Sequence, residues 1–289
     1  MLTPVTATND RANVLGVGVH AIDLPSAVSV IENAVREEAK GYVCVTSVHG
    51  VMEAQRDPEF RNILNRALLV TPDGMPTVWV GRIQGKYTMK RVFGPDLMLE
   101  VCRRSAGTGI RHFFYGGKPG VAPDLAESLR RRFPGLIVVG TFTPPFRPLE
   151  PTEQVALQGQ METTQPDVVW VGLSTPKQER FMASSFRRLP CKVMVGVGAA
   201  FDIHTGHVKD APQWIKDAGL QWAHRLRQEP RRLWKRYLVN NSGFLLRIAM
   251  QLSGITEYRL PEPQARLSCA GLHPLPESVV GQPSHSGDD

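Results

Sequence analysis

Two rhythms of hydrophobic and polar positions alternate along the chain. Short apolar runs rich in β-branched residues recur at 13–23 (NVLGVGVHAID), 42–49 (YVCVTSVH), 67–74 (ALLVTPDG), 110–116 (IRHFFYG), 136–142 (LIVVGTF), 167–173 (DVVWVGL) and 192–198 (KVMVGVG). Each reads as a strand. Between them lie amphipathic stretches with apolar residues at three- and four-residue spacing, each reading as a helix: 26–41, with Ser26 as N-cap and Gly41 as stop, then 50–67, 95–107, 121–135 and the segment after Ser174. The runs at 167–173 and 192–198 are apolar throughout, as strands covered on both faces are.

Strands alternating with helices imply right-handed βαβ units and a mainly parallel sheet. The expected fold is therefore α/β: a Rossmann-like sheet with helices on both faces over residues 12–205, no internal repeat, and a frayed start at 1–11. Beyond about 205 the pattern changes. Residues 206–255 read as a basic helical appendage rich in Trp, Leu and Arg, and 256–289 as a Pro/Ser/Gly-rich disordered tail.

Composition narrows the partners rather than the fold. The 289 residues are 42% hydrophobic and 21% charged, with a formal net charge of +7. That sign fits nucleic acid, acidic lipid or a phosphorylated substrate alike. Cys44, Cys102, Cys191 and Cys269 form no CxxC pair, which argues for reduced thiols rather than disulfides or a zinc site. The N-terminus has no signal-peptide pattern, and no apolar stretch reaches the about 18–20 residues of a membrane span.

In doubly wound sheets, ligands bind beyond the carboxyl ends of the strands. The candidates there are VTSVHG, TPDGMP, YGGKPG, VGLSTPKQE and VGVGAAFD. Gly116 and Gly117 let backbone amides approach a phosphate and Lys118 adds a charge, although an ordinary tight turn needs the same residues. Asp73, between Pro72 and Gly74, is placed to take a proton from an attacking hydroxyl. Asp-Gly is equally a turn dipeptide, and spacing alone favours the turn. Thr175 and Glu179 suit a helix start, whereas Gln178 has no capping role and is the better ligand candidate. His49 follows a strand, as a packed residue or as a catalyst. No Asp-x-Asp pair is present to hold a divalent cation, so cationic side chains are expected to neutralise any diphosphate. Arg225, Arg232 and Arg236 share one helical face near Lys235. With Trp214, Trp222 and Trp234 interleaved, the appendage reads either as an interfacial helix on an anionic membrane or as a helix packed on its own domain.

Taken in order, TPDGMPTVW, KRVFGPDLM, FYGGKPGVA, VGLSTPKQERF, GVGAAFDIHTG and RLRQEPRRLWKRYL resemble the WecG/TagA/CpsF family of bacterial glycosyltransferases over residues 14–247. The resemblance implies inverting, metal-independent transfer of a sugar, N-acetylmannosamine or another hexose, from a UDP-sugar to a polyprenyl-diphosphate-linked saccharide. The setting it implies is the inner face of the plasma membrane, in cell-surface polymer synthesis. It assigns the base to Asp73, an active-site Gln to Gln178 and diphosphate contacts to Arg225 and Arg232, with the third cation of that set at Lys235 or the adjacent Arg236; Gly116, Gly117, Lys118 and Gly198 of the strand-end loops complete the expected donor contacts. The acceptor pocket falls on Thr46, Ser47, His49, Arg91 and Thr175. No cofactor, metal or nucleic acid is implied; an anionic membrane surface is the partner expected from the basic appendage, and whether the chain forms a homo-oligomer is left open. Members commonly carry Thr-x-Asn after the second strand, where this chain has Val45-Thr46-Ser47, so the polar contacts at that point differ. Two rivals fit less well. A dinucleotide oxidoreductase needs G-x-G-x-x-G with an acidic residue about 20 positions on, which the stretch after Leu15 lacks. A nucleic-acid binder leaves the strand-end loops without purpose.

Overall fold

The computed structural model describes residues 10–212, 214, 215 and 219–261, and the backbone alone of 221, 232, 233 and 235–237. Most of the expected tail lies outside the described residues. The first expected strand proves to be an antiparallel hairpin, β1 (Arg11–Val14) and β2 (Val17–His20), separate from the main sheet. Its turn residues Leu15 and Gly16 have φ of 52° and 80°. Paired positive φ values are what a two-residue turn between twisted strands requires, and Leu at the first position hides the turn from a reading that relies on Gly, Asn and Asp.

The main sheet has six parallel strands: β3 (Gly41–Thr46), β4 (Leu69–Pro72), β5 (Arg111–Gly116), β6 (Ile137–Phe142), β7 (Val168–Gly172) and β8 (Val193–Gly196). Their order is β4-β3-β8-β7-β5-β6. The helices are α1 (Leu24–Arg36), α2 (Val48–Arg56), α3 (Pro58–Asn65), α4 (Met75–Ile83), α5 (Gly94–Ser105), α6 (Val121–Arg132), α7 (Pro151–Thr164), α8 (Lys177–Ser185), α9 (Ala200–His204), α10 (Gln221–Gln228) and α11 (Pro230–Leu252). The N-cap of α1 is Asp23, which accepts from the Ser26 amide, so the cap falls earlier than expected. The helix ends at Arg36, and Gly41 opens β3.

Alternation along the strands sorts the core into two layers. Val43, Val45, Trp170 and Val195 face α1, α5, α6 and α9. Tyr42, Cys44, Val169, Val171 and Met194 face α2, α3, α7, α8, the hairpin and α11. The fully apolar strands are thus buried on both sides, as parallel strands are. Inside the first layer, the Trp170 indole donates to His112 Nδ1 at 3.0 Å, and His112 Nε2 meets Ser105 Oγ at 2.8 Å. The ring has no exposure, and burial lowers its pKa to about 4.

Side-chain amides hold the hairpin from several directions. Gln84 bonds both the N–H and the C=O of Asn13, Gln55 donates to the Leu15 carbonyl, and Asn65 bonds the Gly16 carbonyl and the Gly18 amide. Gln251 of α11 accepts from Leu15 and donates to Asn13. His20 Nδ1 accepts the Val70 amide at 3.0 Å, satisfying a donor on the edge strand β4. Helix α11 is seated on α2 by the same means. Asn240, 5% exposed, bonds His49 Nδ1 at 3.0 Å and accepts from Arg56 at 2.9 Å, while Phe244 and Ile248 are buried.

Candidate active site

Strand direction locates the site. β5 leads to β6 at one edge, whereas β7 leads to β8 on the other side, so the loops after β5 and β7 leave in opposite directions. A crevice at the carboxyl ends of the strands follows from that divergence. Its floor is a glycine crossing: the Gly117 amide donates to the Gly172 carbonyl at 3.1 Å, and a Cβ on Gly116 (φ 130°) would stand 2.6 Å from that same oxygen. Gly116 is thus required by chain packing, and Gly117 by its φ of 76° with a Cβ that would stand 3.0 Å from Val121 Cβ. Lys118 beside them is exposed.

Asp73 follows β4, its amide donating to the Thr46 carbonyl at 3.1 Å. The Val92 amide donates to the Pro72 carbonyl at 2.8 Å, which lays residues 91–94 alongside. The Gly94 amide, first in α5, hydrogen-bonds the Asp73 carboxylate. Arg91, with a side chain 13% exposed, lies 3.6 Å from Asp96 and 5.0 Å over the Phe93 ring. Across from them α10 supplies Arg225, whose guanidinium acts electrostatically on Asp73. Burial lifts the Asp73 pKa from 3.8 to about 6; Arg91, Arg225 and the Gly94 bond pull it down, and Asp96 pushes it up. Asp73 Oδ1 and Arg225 Nε are both buried without a hydrogen-bond partner among the described residues. Two opposite-signed groups left open in one cluster form a place for a ligand that both accepts and donates.

A second cluster joins the loops after β7 and β8. Gln178, 3% exposed, donates to Glu179 Oε1 at 3.0 Å and accepts from the Gly198 amide at 3.0 Å. Thr175, which precedes Pro176 through a cis peptide bond, donates to the same Glu179 oxygen at 2.9 Å. Gln178 therefore links the Gly198 amide, through its oxygen, to Glu179, through its nitrogen. Thr46 adjoins this cluster: a Cβ on Gly50 would lie 3.1 Å from the Thr46 methyl and 4.0 Å from the Thr175 methyl.

The structure brings Asp73, Arg91 and Arg225 together, and Gln178, Gly198 and Thr175 together, with Thr46 between. Ser47 is the N-cap of α2, without a side-chain capping bond. His49 turns toward Asn240 of α11, with Glu53 3.8 Å from its ring, so its bonds tie α2 to the C-terminal helix. Arg232, Lys235 and Arg236 fall in α11, but their side chains lie outside the described residues. Asp96 and His204 were not singled out from sequence. His204 Nε2 meets the Pro95 carbonyl at 3.0 Å, and Asp96 acts electrostatically on both His204 and Asp73. An Asp in a first helical turn has a sufficient local reason to be there, so nothing in the string marks it. Among the described residues no three His, Cys, Asp or Glu side chains converge as metal ligands.

Together these features define a doubly wound α/β protein with a buried, raised-pKa carboxylate facing arginines at the strand ends. The chain belongs to the WecG/TagA/CpsF family of glycosyl transferases, whose model matches residues 12–257. It is accordingly a glycosyltransferase. It is 31% identical over 217 residues, 75% of this chain and 82% of the relative, to an N-acetylglucosaminyldiphosphoundecaprenol N-acetyl-β-D-mannosaminyltransferase of Bacillus spizizenii. A Bacillus subtilis protein of the same description is 27% identical over 209 residues, 72% of this chain and 79% of its own length. No helix among the described residues is long and apolar enough to cross a membrane.

Proposed function

We propose that the chain transfers a sugar, N-acetylmannosamine or another hexose, from a UDP-sugar to a polyprenyl-diphosphate-linked saccharide, with inversion and without a metal. The two relatives are named for such an acceptor and for an N-acetylmannosaminyl group. The observation that carries the mechanism is the open Asp73 Oδ1 beside the open Arg225 Nε.

Asp73 takes the proton of the acceptor hydroxyl. The acceptor oxygen bonds to the anomeric carbon as the bond from that carbon to the diphosphate oxygen breaks, and UDP leaves with the electron pair. A base with a pKa near 6 is ionised at neutral pH yet retains proton affinity. Arg225 and Arg91 meet the charge that develops on the leaving diphosphate, from positions fixed before the reaction. Gln178 holds the Gly198 loop that borders the donor, and Thr46, Ser47 and Thr175 border the acceptor. The working unit is a core over 12–205 with an appendage over 206–255 that carries Arg225 to the site and rests peripherally on the inner membrane face.

The test is a screen of UDP-sugars against a polyprenyl-diphosphate-GlcNAc analogue, with products read by mass spectrometry. Transfer from one of them, undiminished by EDTA, is expected. No transfer from any UDP-sugar refutes the donor assignment, and loss of activity with EDTA refutes the metal-free step.

A further inference from the structure

Helix α4 begins two residues after Asp73 and turns large apolar side chains outward. Trp79 is 49% exposed, Ile83 one turn on is 66% exposed, and Tyr87 in the following turn is 78% exposed. Its other side is ordinary core, with Val78 and Val80 buried. The segment before α10 reaches the same place. A Cβ on Gly219 would lie 3.1 Å from Met75 Cβ and 3.4 Å from the Trp79 ring. Trp214 and Leu220, close to it in sequence, also face outward, 68% and 45% exposed. Large apolar side chains exposed together mark a contact surface.

Charge selects what the surface contacts. Residues 74–95 contain Arg82, Lys86, Lys90 and Arg91 and no Asp or Glu. Arg82 and Lys90 are exposed beside the apolar side chains. Lys86 pairs with Asp10, and Lys90 lies 3.6 Å from Asp23. Trp and Tyr bodies flanked by cations suit the headgroup layer of an anionic bilayer. A second copy of a chain with net charge +7 is the poorer match for a cationic face.

We propose that α4 and the turn after it form a membrane-contact face of the core itself, seated in the headgroup layer of an anionic bilayer and aiming the Asp73 loop at the lipid surface. This rests on the lipid-linked acceptor proposed above, and it adds a contact on the core to that of the C-terminal appendage.

The test is co-sedimentation of the full chain with phosphatidylglycerol/phosphatidylcholine vesicles and with phosphatidylcholine alone. Wild type should favour the anionic vesicles, and W79S/I83S should bind them about tenfold more weakly. Its transfer to a water-soluble, short-chain acceptor analogue should stay within about twofold of wild type, since neither side chain belongs to the site. If that variant does not fold, R82Q/Y87S, altered at exposed positions, decides by the same measurement. Unchanged vesicle binding, or equal binding to neutral vesicles, overturns the proposal. So does a shift from dimer to monomer in sedimentation velocity with vesicle binding intact, which gives the face to a second copy. A wild type that binds anionic vesicles through α4 yet transfers no sugar refutes the functional reading and leaves this one standing.

Discussion

Asp73→Asn separates the two consequences of one raised pKa. Burial holds the carboxyl at about 6 against an ordinary 3.8. Ionised in the folded chain, it therefore costs that interval at about 1.4 kcal/mol per pH unit, or about 3 kcal/mol. The side chain keeps some contact with solvent, which sets a lower bound of about 1.5 kcal/mol. The sign follows from proton binding: the folded carboxyl holds its proton more tightly than the unfolded one. Stability is highest below pH 3.8, falls as pH rises through the window from 3.8 to about 6, and is level above it. Asn carries no such proton. The stability of the variant relative to wild type should therefore grow by about 1.5–3 kcal/mol between pH 4 and pH 7, read by urea denaturation. Over the same substitution, transfer should drop roughly 100- to 10,000-fold. Wild-type kcat/KM should show an acid limb with a midpoint near 6. A stability difference that stays flat with pH refutes the buried, raised carboxylate. Transfer at the wild-type rate refutes its role as base.

Three further outcomes are expected. Gly116→Ala would place a methyl 2.6 Å from the Gly172 carbonyl oxygen at φ 130° and should cost about 3 kcal/mol; an unchanged denaturation midpoint contradicts the crossing. His112 and His20, both lowered to about 4 by burial, contribute stability that is complete above pH 6.5 and lost as pH falls toward 4. The loss is about 3 kcal/mol each, and either imidazole C2 proton titrating near pH 6.5 by NMR would count against it. Asn240→Ala removes a buried partner from His49 and Arg56 and should cost about 1–3 kcal/mol, measured by thermal melting. A melt identical to wild type would show that α11 is held by Phe244, Ile248 and the Gln251 bonds to the hairpin without help from Asn240.

Much of the fold was legible because local pattern and tertiary role agree. Residues 168–172 and 193–196 are apolar on both alternating faces, which only a sheet covered on both sides explains. The hairpin was not legible, because Leu15 carries a backbone conformation usually signalled by glycine. Helix α7 went unread since only Leu157 and Met161 are buried along it, too few to set a period. At the site, Asp73 stood out by its position at a strand end, but its coupling to Arg225 crosses most of the chain and is set by how α10 lies over the crevice. The glycines after β5 leave a phosphate cradle and a tight turn both open in the sequence, and the Gly172 crossing that also requires Gly116 lies 56 residues on, where no local pattern points. For His49 the sequence leaves packed residue and catalyst both open, and its bond to Asn240 of α11 depends on packing far along the chain.

The grip of Gln251 on the hairpin turn ties β1 and β2 to α11, far along the described residues. The Leu15 amide finds its acceptor 236 residues later in the chain. On the ribosome, the Leu15 amide therefore waits with an open donor until α11 is made. Arg225 lies in α10, just ahead of α11, so a nascent chain completes its hairpin bonds and gains the cation that acts on Asp73 at nearly the same moment. A product terminated before α11 would present an unfinished turn to proteases.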